Sequence, residues 1–201
     1  MKRRMMWAVL ALLLPLSSAC SGDIEIGSGS GVPTCPAAAD QNPDDISSGL
    51  LLIAQSVPSA TLLPCTRELP PGWMFERLDA DNHRSRIFMN SDRHGSHATT
   101  VTLAPHCDVG DSTETATDQP GTRRYERVHP SKSSYRAERY YVYDGGCTTY
   151  QISLHGSRNA EPVDLLLAAL SFATREQLRR YVHSYSDGRF ELDPTAAGGS
   201  G

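Results

Sequence analysis

Tyr135-Arg136-Ala137-Glu138-Arg139-Tyr140-Tyr141-Val142-Tyr143-Asp144-Gly145-Gly146-Cys147-Thr148-Thr149-Tyr150-Gln151-Ile152-Ser153-Leu154 is the stretch that decides the fold. Its two arms are rich in aromatic and β-branched residues, which suit a half-buried pleated surface. Between them stands Asp144-Gly145-Gly146, where glycine supplies the positive φ that a tight hairpin turn requires. On the return arm Thr148, Tyr150, Ile152 and Leu154 fall on one face and Cys147, Thr149, Gln151 and Ser153 on the other. That alternation predicts an antiparallel hairpin with one apolar face.

The same period-2 pattern continues upstream. Trp73, Phe75 and Leu78 begin a strand, and 79–83 is a turn. In the next run Ile87 and Met89 lie opposite Arg86 and Phe88; 92–96 turns again; Thr99, Val101 and Leu103 then alternate with Ala98, Thr100 and Thr102. This reads as a meander. Residues 123–128 add a short strand after a long polar loop at 109–122. Leu63-Pro64-Cys65 and Leu69-Pro70-Pro71-Gly72-Trp73 read as stiff extended connections.

Helices flank these strands. Asp45 or Ser47 can cap an apolar helix through Leu50, Ile53 and Gln55 that Pro58 ends. Glu161-Pro162 opens a helical or extended apolar stretch to Phe172. Thr174-Arg175-Glu176-Gln177 matches a capping box, and Leu178, Tyr181, Val182 and Tyr185 then follow at helical spacing until Asp187-Gly188. The fold expected is α+β: an antiparallel sheet of about five or six strands with helices packed on one face.

The start of the chain sets the compartment. Lys2, Arg3 and Arg4 precede an apolar run to Leu16 and small residues at 17–19, the order of a secretory leader. The run falls short of the roughly 20 apolar residues a spanning helix needs. Leu16-Ser17-Ser18-Ala19-Cys20 resembles a bacterial lipobox, although Ser17 stands where leucine is preferred. The reading adopted is a signal peptide over 1–19, a diacylated Cys20 with a flexible tether over 20–44, one extracytoplasmic domain over 45–194 and a tail over 195–201. The alternative is an ordinary leader, with Cys20 joining a disulfide and the protein secreted. Lipidation leaves an even set of cysteines, Cys35, Cys65, Cys107 and Cys147, which should be oxidised outside the cytoplasm. Three pairings are open; the one expected is Cys35 with Cys65 and Cys107 with Cys147.

Removing residues 1–19, which carry three bases and no acid, takes the formal charge from −4 to −7. Such a domain has no electrostatic footprint for nucleic acid. The partners expected are the membrane, through the anchor, and an envelope protein or small ligand.

Several motifs together resemble a group of uncharacterised actinobacterial secreted or membrane-associated proteins. They are Ala54-Gln55-Ser56-Val57-Pro58-Ser59-Ala60 with Leu63-Pro64-Cys65, Leu69-Pro70-Pro71-Gly72-Trp73, Gly121-Thr122-Arg123-Arg124-Tyr125, Gly145-Gly146-Cys147 and 172–178. The resemblance covers about Leu50 to Pro194. It implies no activity, cofactor or catalytic residue.

Candidate chemistry is sparse. Asp92, His94 and His97 offer a carboxylate and two imidazoles, a reasonable transition-metal set, but His spacing of three on a glycine turn is not that of a metalloprotease helix. No Gly-x-Ser-x-Gly elbow, Ser-x-x-Lys, P-loop or dinucleotide fingerprint occurs. Glu114, Glu126, Glu138 and Glu161 show no spacing that singles out a catalytic pair. Tyr140, Tyr141, Tyr143 and Tyr150 with Arg136 and Arg139 have the composition of a recognition surface if the sheet leaves them outside; the reading preferred is a twisted sheet covered by helices on that side. A non-catalytic binding domain without a cofactor is the function expected; a secreted hydrolase or metal-dependent enzyme is the alternative.

Overall fold

The structure, a computed structural model, describes residues 24–26, 31–36, 47–129, 131–156 and 161–192. The leader, Cys20 and the tail at 195–201 lie outside the described residues. In chain order the elements are β1 (Ile24–Ile26), α1 (Ser48–Ser56), β2 (Leu62–Thr66), β3 (Trp73–Ala80), β4 (Ser85–Ser91) and β5 (Gly95–Ala104). There follow β6 (Thr113–Thr115), β7 (Arg123–His129), β8 (Ser134–Tyr143), β9 (Gly146–His155), α2 (Glu161–Ala169), β10 (Leu170–Thr174) and α3 (Arg175–Tyr185). The fold is α+β, with an antiparallel sheet at its core, helices packed on it and two disulfides.

The main sheet has eight strands in the order β1-β3-β4-β5-β9-β8-β7-β6. Its interior strands are the six long ones the alternation predicts; β1 and β6, each three residues, cap the two edges. A separate two-stranded sheet pairs β10 with β2, so that Leu170 faces Thr66 and Thr174 faces Leu62. Strand β2 is buried at every position, so it has no alternation to betray it, and its sequence reads as a connection. Strand β10 similarly takes over the end of the stretch read as helical or extended, after α2 has stopped at Ala169.

The β8–β9 hairpin pairs Tyr143 with Gly146 at the turn and Ser134 with His155 at the far end. Gly145 alone of the two turn glycines has positive φ, 69°. Its backbone presses against the α1–β2 connection: a Cβ built there would sit 1.9 Å from the Ser59 carbonyl oxygen. Beside it the Asp144 carbonyl accepts from the Thr61 hydroxyl at 2.7 Å and the Thr61 amide at 3.3 Å.

All three helices feed one core on one sheet face. Leu50 and Ile53 of α1, Leu166 of α2 and Leu178 of α3 meet Leu78, Met89, Leu103, Tyr150 and Leu154 of the sheet, and all are fully buried or nearly so. Each buried side chain of this size contributes roughly 1.5–3 kcal/mol. Ser47 caps α1, accepting from the Leu50 amide at 3.3 Å. Thr174 caps α3 in a complete capping box with Gln177. Only the first part of the apolar face of α3 is covered: Leu178 is buried, whereas Tyr185 is 63% exposed and stacks on Tyr181.

Cys35 bonds to Cys65 and Cys107 to Cys147. The first bond changes the reading of the tether. Thr34 bridges Thr66 in parallel, the Thr66 amide donates to the Pro33 carbonyl at 2.7 Å, and Cys35 returns a bond to the Thr66 carbonyl at 2.8 Å. Residues 31–36 and the edge strand β1, assigned by composition to the tether, are thus parts of the fold. Among the described residues no helix is long and apolar enough to cross a membrane.

Candidate functional site

Strand alternation splits the six residues of the expected recognition surface between two faces. Tyr141, Tyr143, Tyr150 and Arg139 point toward the helix layer; Arg136 and Tyr140 point away from it. Tyr150 and Tyr143 are 2% and 8% exposed, so they are core residues and not a solvent-facing aromatic patch. Burial raises the phenol pKa of both. The Tyr143 hydroxyl reaches the Leu62 carbonyl at 2.9 Å and the Thr148 hydroxyl at 2.8 Å. Arg139 pairs with Glu126 at 3.2 Å and approaches Asp164 of α2 at 4.0 Å. The helices cover that side, as the preferred reading has it, because the apolar face of the hairpin must be buried, and the alternative of a tyrosine-rich recognition surface is set aside for Tyr141, Tyr143 and Tyr150.

The opposite face carries polar rows across the strands. One runs Arg77, Phe88, Thr100, Gln151, Glu138 and Arg127, each opposite the next in register. A neighbouring row runs Ser153, Arg136 and His129. Between them lies a surface groove of about 400 Å³, lined also by His97.

Ion pairs hold this face in place. Arg127 donates to Glu138 Oε2 at 2.5 Å and to Asp111 Oδ1 at 2.6 Å, and the Tyr140 hydroxyl donates to the same Glu138 oxygen at 2.9 Å. Partial burial pushes the Glu138 carboxyl up, but the bonds from Arg127 and Tyr140 outweigh that and hold it below the usual glutamate value. Tyr140 is pushed up, by burial first and then by Glu138. At the β3–β5 side the Arg77 guanidinium stands 4.0 Å over the Phe88 ring and bonds Glu76 at 3.0 Å and Asp79 at 3.1 Å. Such partly exposed cation–π geometry contributes about 0.5–1 kcal/mol.

His97 occupies the left-handed region, φ 53°, which a non-glycine residue adopts only under restraint. The restraint is visible. Its amide donates to Asn90 Oδ1 at 2.8 Å, its ring lies 4.9 Å from that of Phe88, and Nε2 is 3.0 Å from Glu76 Oε2. The backbone strain is spent on aiming the imidazole at the groove's wall.

The three metal candidates part company. His94 is buried with Nδ1 2.8 Å from the His155 carbonyl, His97 turns to Glu76, and the Asp92 amide bonds Gly72 at 2.9 Å. Among the described residues no three His, Cys, Asp or Glu side chains converge as a metal set. The groove residues Thr100, His129, Arg136, Glu138, Gln151 and Ser153 escape a motif search because they are neighbours across strands and not along the chain. A signal existed for part of them: counting back from the Asp144-Gly145 turn already sets Gln151 opposite Glu138 and Ser153 opposite Arg136.

No family model and no curated protein matches the chain. A crystal structure of a Bacteroides thetaiotaomicron VPI-5482 protein, solved at 1.50 Å, is similar over 59% of this chain, at 7% identity and a TM-score of 0.32. The chain spans about half, 47%, of the length of that structure.

Proposed function

We propose that the protein is a lipid-anchored envelope protein, held on the outer face of the cell membrane through an acylated Cys20, whose domain binds a small polar ligand in the groove of the uncovered sheet face. The lipobox-like start supports the anchor; two acyl chains hold stably where one holds marginally, at about 0.8 kcal/mol per buried methylene. The observation that carries the binding role is the groove itself: a site of small-ligand size with mixed polar and apolar lining, in which Glu138 is held by Arg127 and Tyr140 and His97 lies against Glu76 before any ligand arrives. Among the described residues the groove's Ser153 is not hydrogen-bonded to His97 or His129, which favours binding over hydrolysis.

The test uses the full-length chain expressed in a bacterial host and purified from the membrane fraction. Intact mass should show a chain starting at Cys20, carrying diacylglycerol, with its four later cysteines in two bonds. A screen of small polar solutes by thermal shift should find ligands that stabilise it, and Gln151→Trp, which fills the groove from an exposed position, should abolish their effect. An unprocessed cytosolic chain overturns the anchor. Ligand shifts that survive Gln151→Trp overturn the groove.

A further inference from the structure

We infer that the groove is a site for a hydroxylated carboxylic acid, with Arg136 as the anchor for the carboxylate. The inference deepens the binding role proposed above and rests on it.

The charge pattern of the face carries the argument. Arg77 is matched by Glu76 and Asp79, Arg86 by Asp79, and Arg127 by Asp111 and Glu138. Arg136 lies on the same face, exposed, and has no carboxylate at ion-pair distance among the described residues. Glu138, two residues along the strand, does not fill that role, because its Oε2 already receives Arg127 and the Tyr140 hydroxyl. Counted over these groups the face carries four arginines and four carboxylates, and Arg136 is the guanidinium among them with no carboxylate in ion-pair reach.

The shape of that charge selects the ligand. A planar guanidinium presents parallel N–H donors that match a carboxylate in a two-point contact, which a lysine cannot reproduce. Glu138, close by on the same face, disfavours a dianion such as phosphate more than a monoanion. Beside the His97 and His129 rings and the small apolar contribution of Ala137 and Ile152, the groove side chains Thr100, Gln151 and Ser153 offer hydroxyl and amide groups that both donate and accept. They suit a hydroxyl-bearing body and offer no large apolar ring to a greasy one. A sugar acid combines the two features in one small molecule.

The experiment is calorimetric titration of the full-length, detergent-solubilised protein with D-glucuronate at neutral pH. D-glucose, hexanoate and inorganic phosphate serve as comparison probes. D-glucuronate should bind saturably and at least tenfold more tightly than each comparison probe. Arg136→Gln should weaken it at least tenfold, and Arg136→Lys should fall between, while the side-chain Nε–Hε resonance of Arg136 moves on titration. Both variants change an exposed residue, and unaltered thermal unfolding confirms that they fold. Phosphate binding as tightly as glucuronate, or equal glucuronate affinity in Arg136→Gln, overturns the inference and leaves the groove reading intact if Gln151→Trp still abolishes binding. If neither these probes nor any solute of the wider screen binds, both readings fall together.

Discussion

Arg175 offers the sharpest test of how the helix layer is held. It is 4% exposed, yet it is a charged residue in the first turn of α3. Its Nε donates to the Ala60 carbonyl at 2.9 Å, and Nη2 donates to the Val57 carbonyl at 2.9 Å and to the Ala54 carbonyl. These oxygens belong to the end of α1 and the loop after it, where helix carbonyls lack intrahelical partners. One side chain thus caps the first helix from the third. Replacing it with methionine keeps the length and removes every donor. A hydrogen bond from a charged group contributes about 1.5–3 kcal/mol, so three of them amount to roughly 5–9 kcal/mol gross. Relieving the guanidinium of its own desolvation returns several kcal/mol of that. The expected net loss for Arg175→Met is therefore about 2–4 kcal/mol, a large part of the ~5–15 kcal/mol typical of a domain. Urea unfolding under non-reducing conditions, followed by the fluorescence of the buried Trp73, measures it. Arg179→Met is the control: that arginine is half-exposed and its ion pair is with the equally exposed Glu176 at 2.8 Å, so its unfolding midpoint should stay close to the parent's. If Arg175→Met unfolds within 0.5 kcal/mol of the parent, as estimated for a surface pair, the three carbonyls do not depend on it and the capping argument is wrong.

Two further outcomes follow from the geometry. Gly145→Ala should destabilise the domain by about 2–4 kcal/mol, because the new Cβ meets the Ser59 carbonyl oxygen at 1.9 Å and the left-handed φ is strained as well; a change under 1 kcal/mol in chemical denaturation would count against it. Glu138 has a folded pKa below its unfolded value of 4.5, so its contribution is fully present above pH about 4.5 and is lost as the pH falls through the folded value. Glu138→Gln should accordingly flatten the fall in stability on acidification below pH about 4.5, and an unchanged acid limb in thermal melts would contradict the Arg127–Glu138–Tyr140 arrangement.

The sequence yields most where one side chain in two faces water. The hairpin from Tyr135 to Leu154, the meander from Trp73 to Leu103 and the Thr174 cap are legible there, and the α1 cap is narrowed to Asp45 or Ser47, since alternation, turn glycines and capping residues each have a local cause. The disulfide pairing matches the one expected, although spacing left three open. It yields least where burial is continuous or partners are remote. Strand β2 is buried on both sides and carries a proline, so neither period nor propensity marks it. Ile24 to Ile26 are good strand formers hidden in a glycine- and serine-rich run, and their partner Leu78 to Ala80 is over fifty residues away. The tyrosines are legible as a cluster, but their faces follow only from knowing which side the helices occupy. Arg175 reads as a surface residue of a capping box, because nothing local shows that the end of α1 lies beneath it.

The two faces of the sheet divide the work, and the division bears on function. On the covered side, apolar burial, the Arg175 cap and the Tyr143 hydroxyl bind the helices to the strands. On the other side few large apolar residues remain to stabilise anything: Phe88 is screened by Arg77, and Tyr140 by Arg127 and Glu138. Ion pairs of this partly exposed kind contribute little to folding, about 0–1 kcal/mol each. Their number on one face is thus poorly explained by stability. It is better explained by orientation, since paired charges fix one another's rotamers and leave a rigid polar surface for a ligand to meet at low entropic cost. The strained backbone of His97 points the same way, because a left-handed histidine lowers stability and its ring is delivered to the groove, not to the core. An isolated positive charge at Arg136, set among groups already neutralised, is then the feature a ligand would complete.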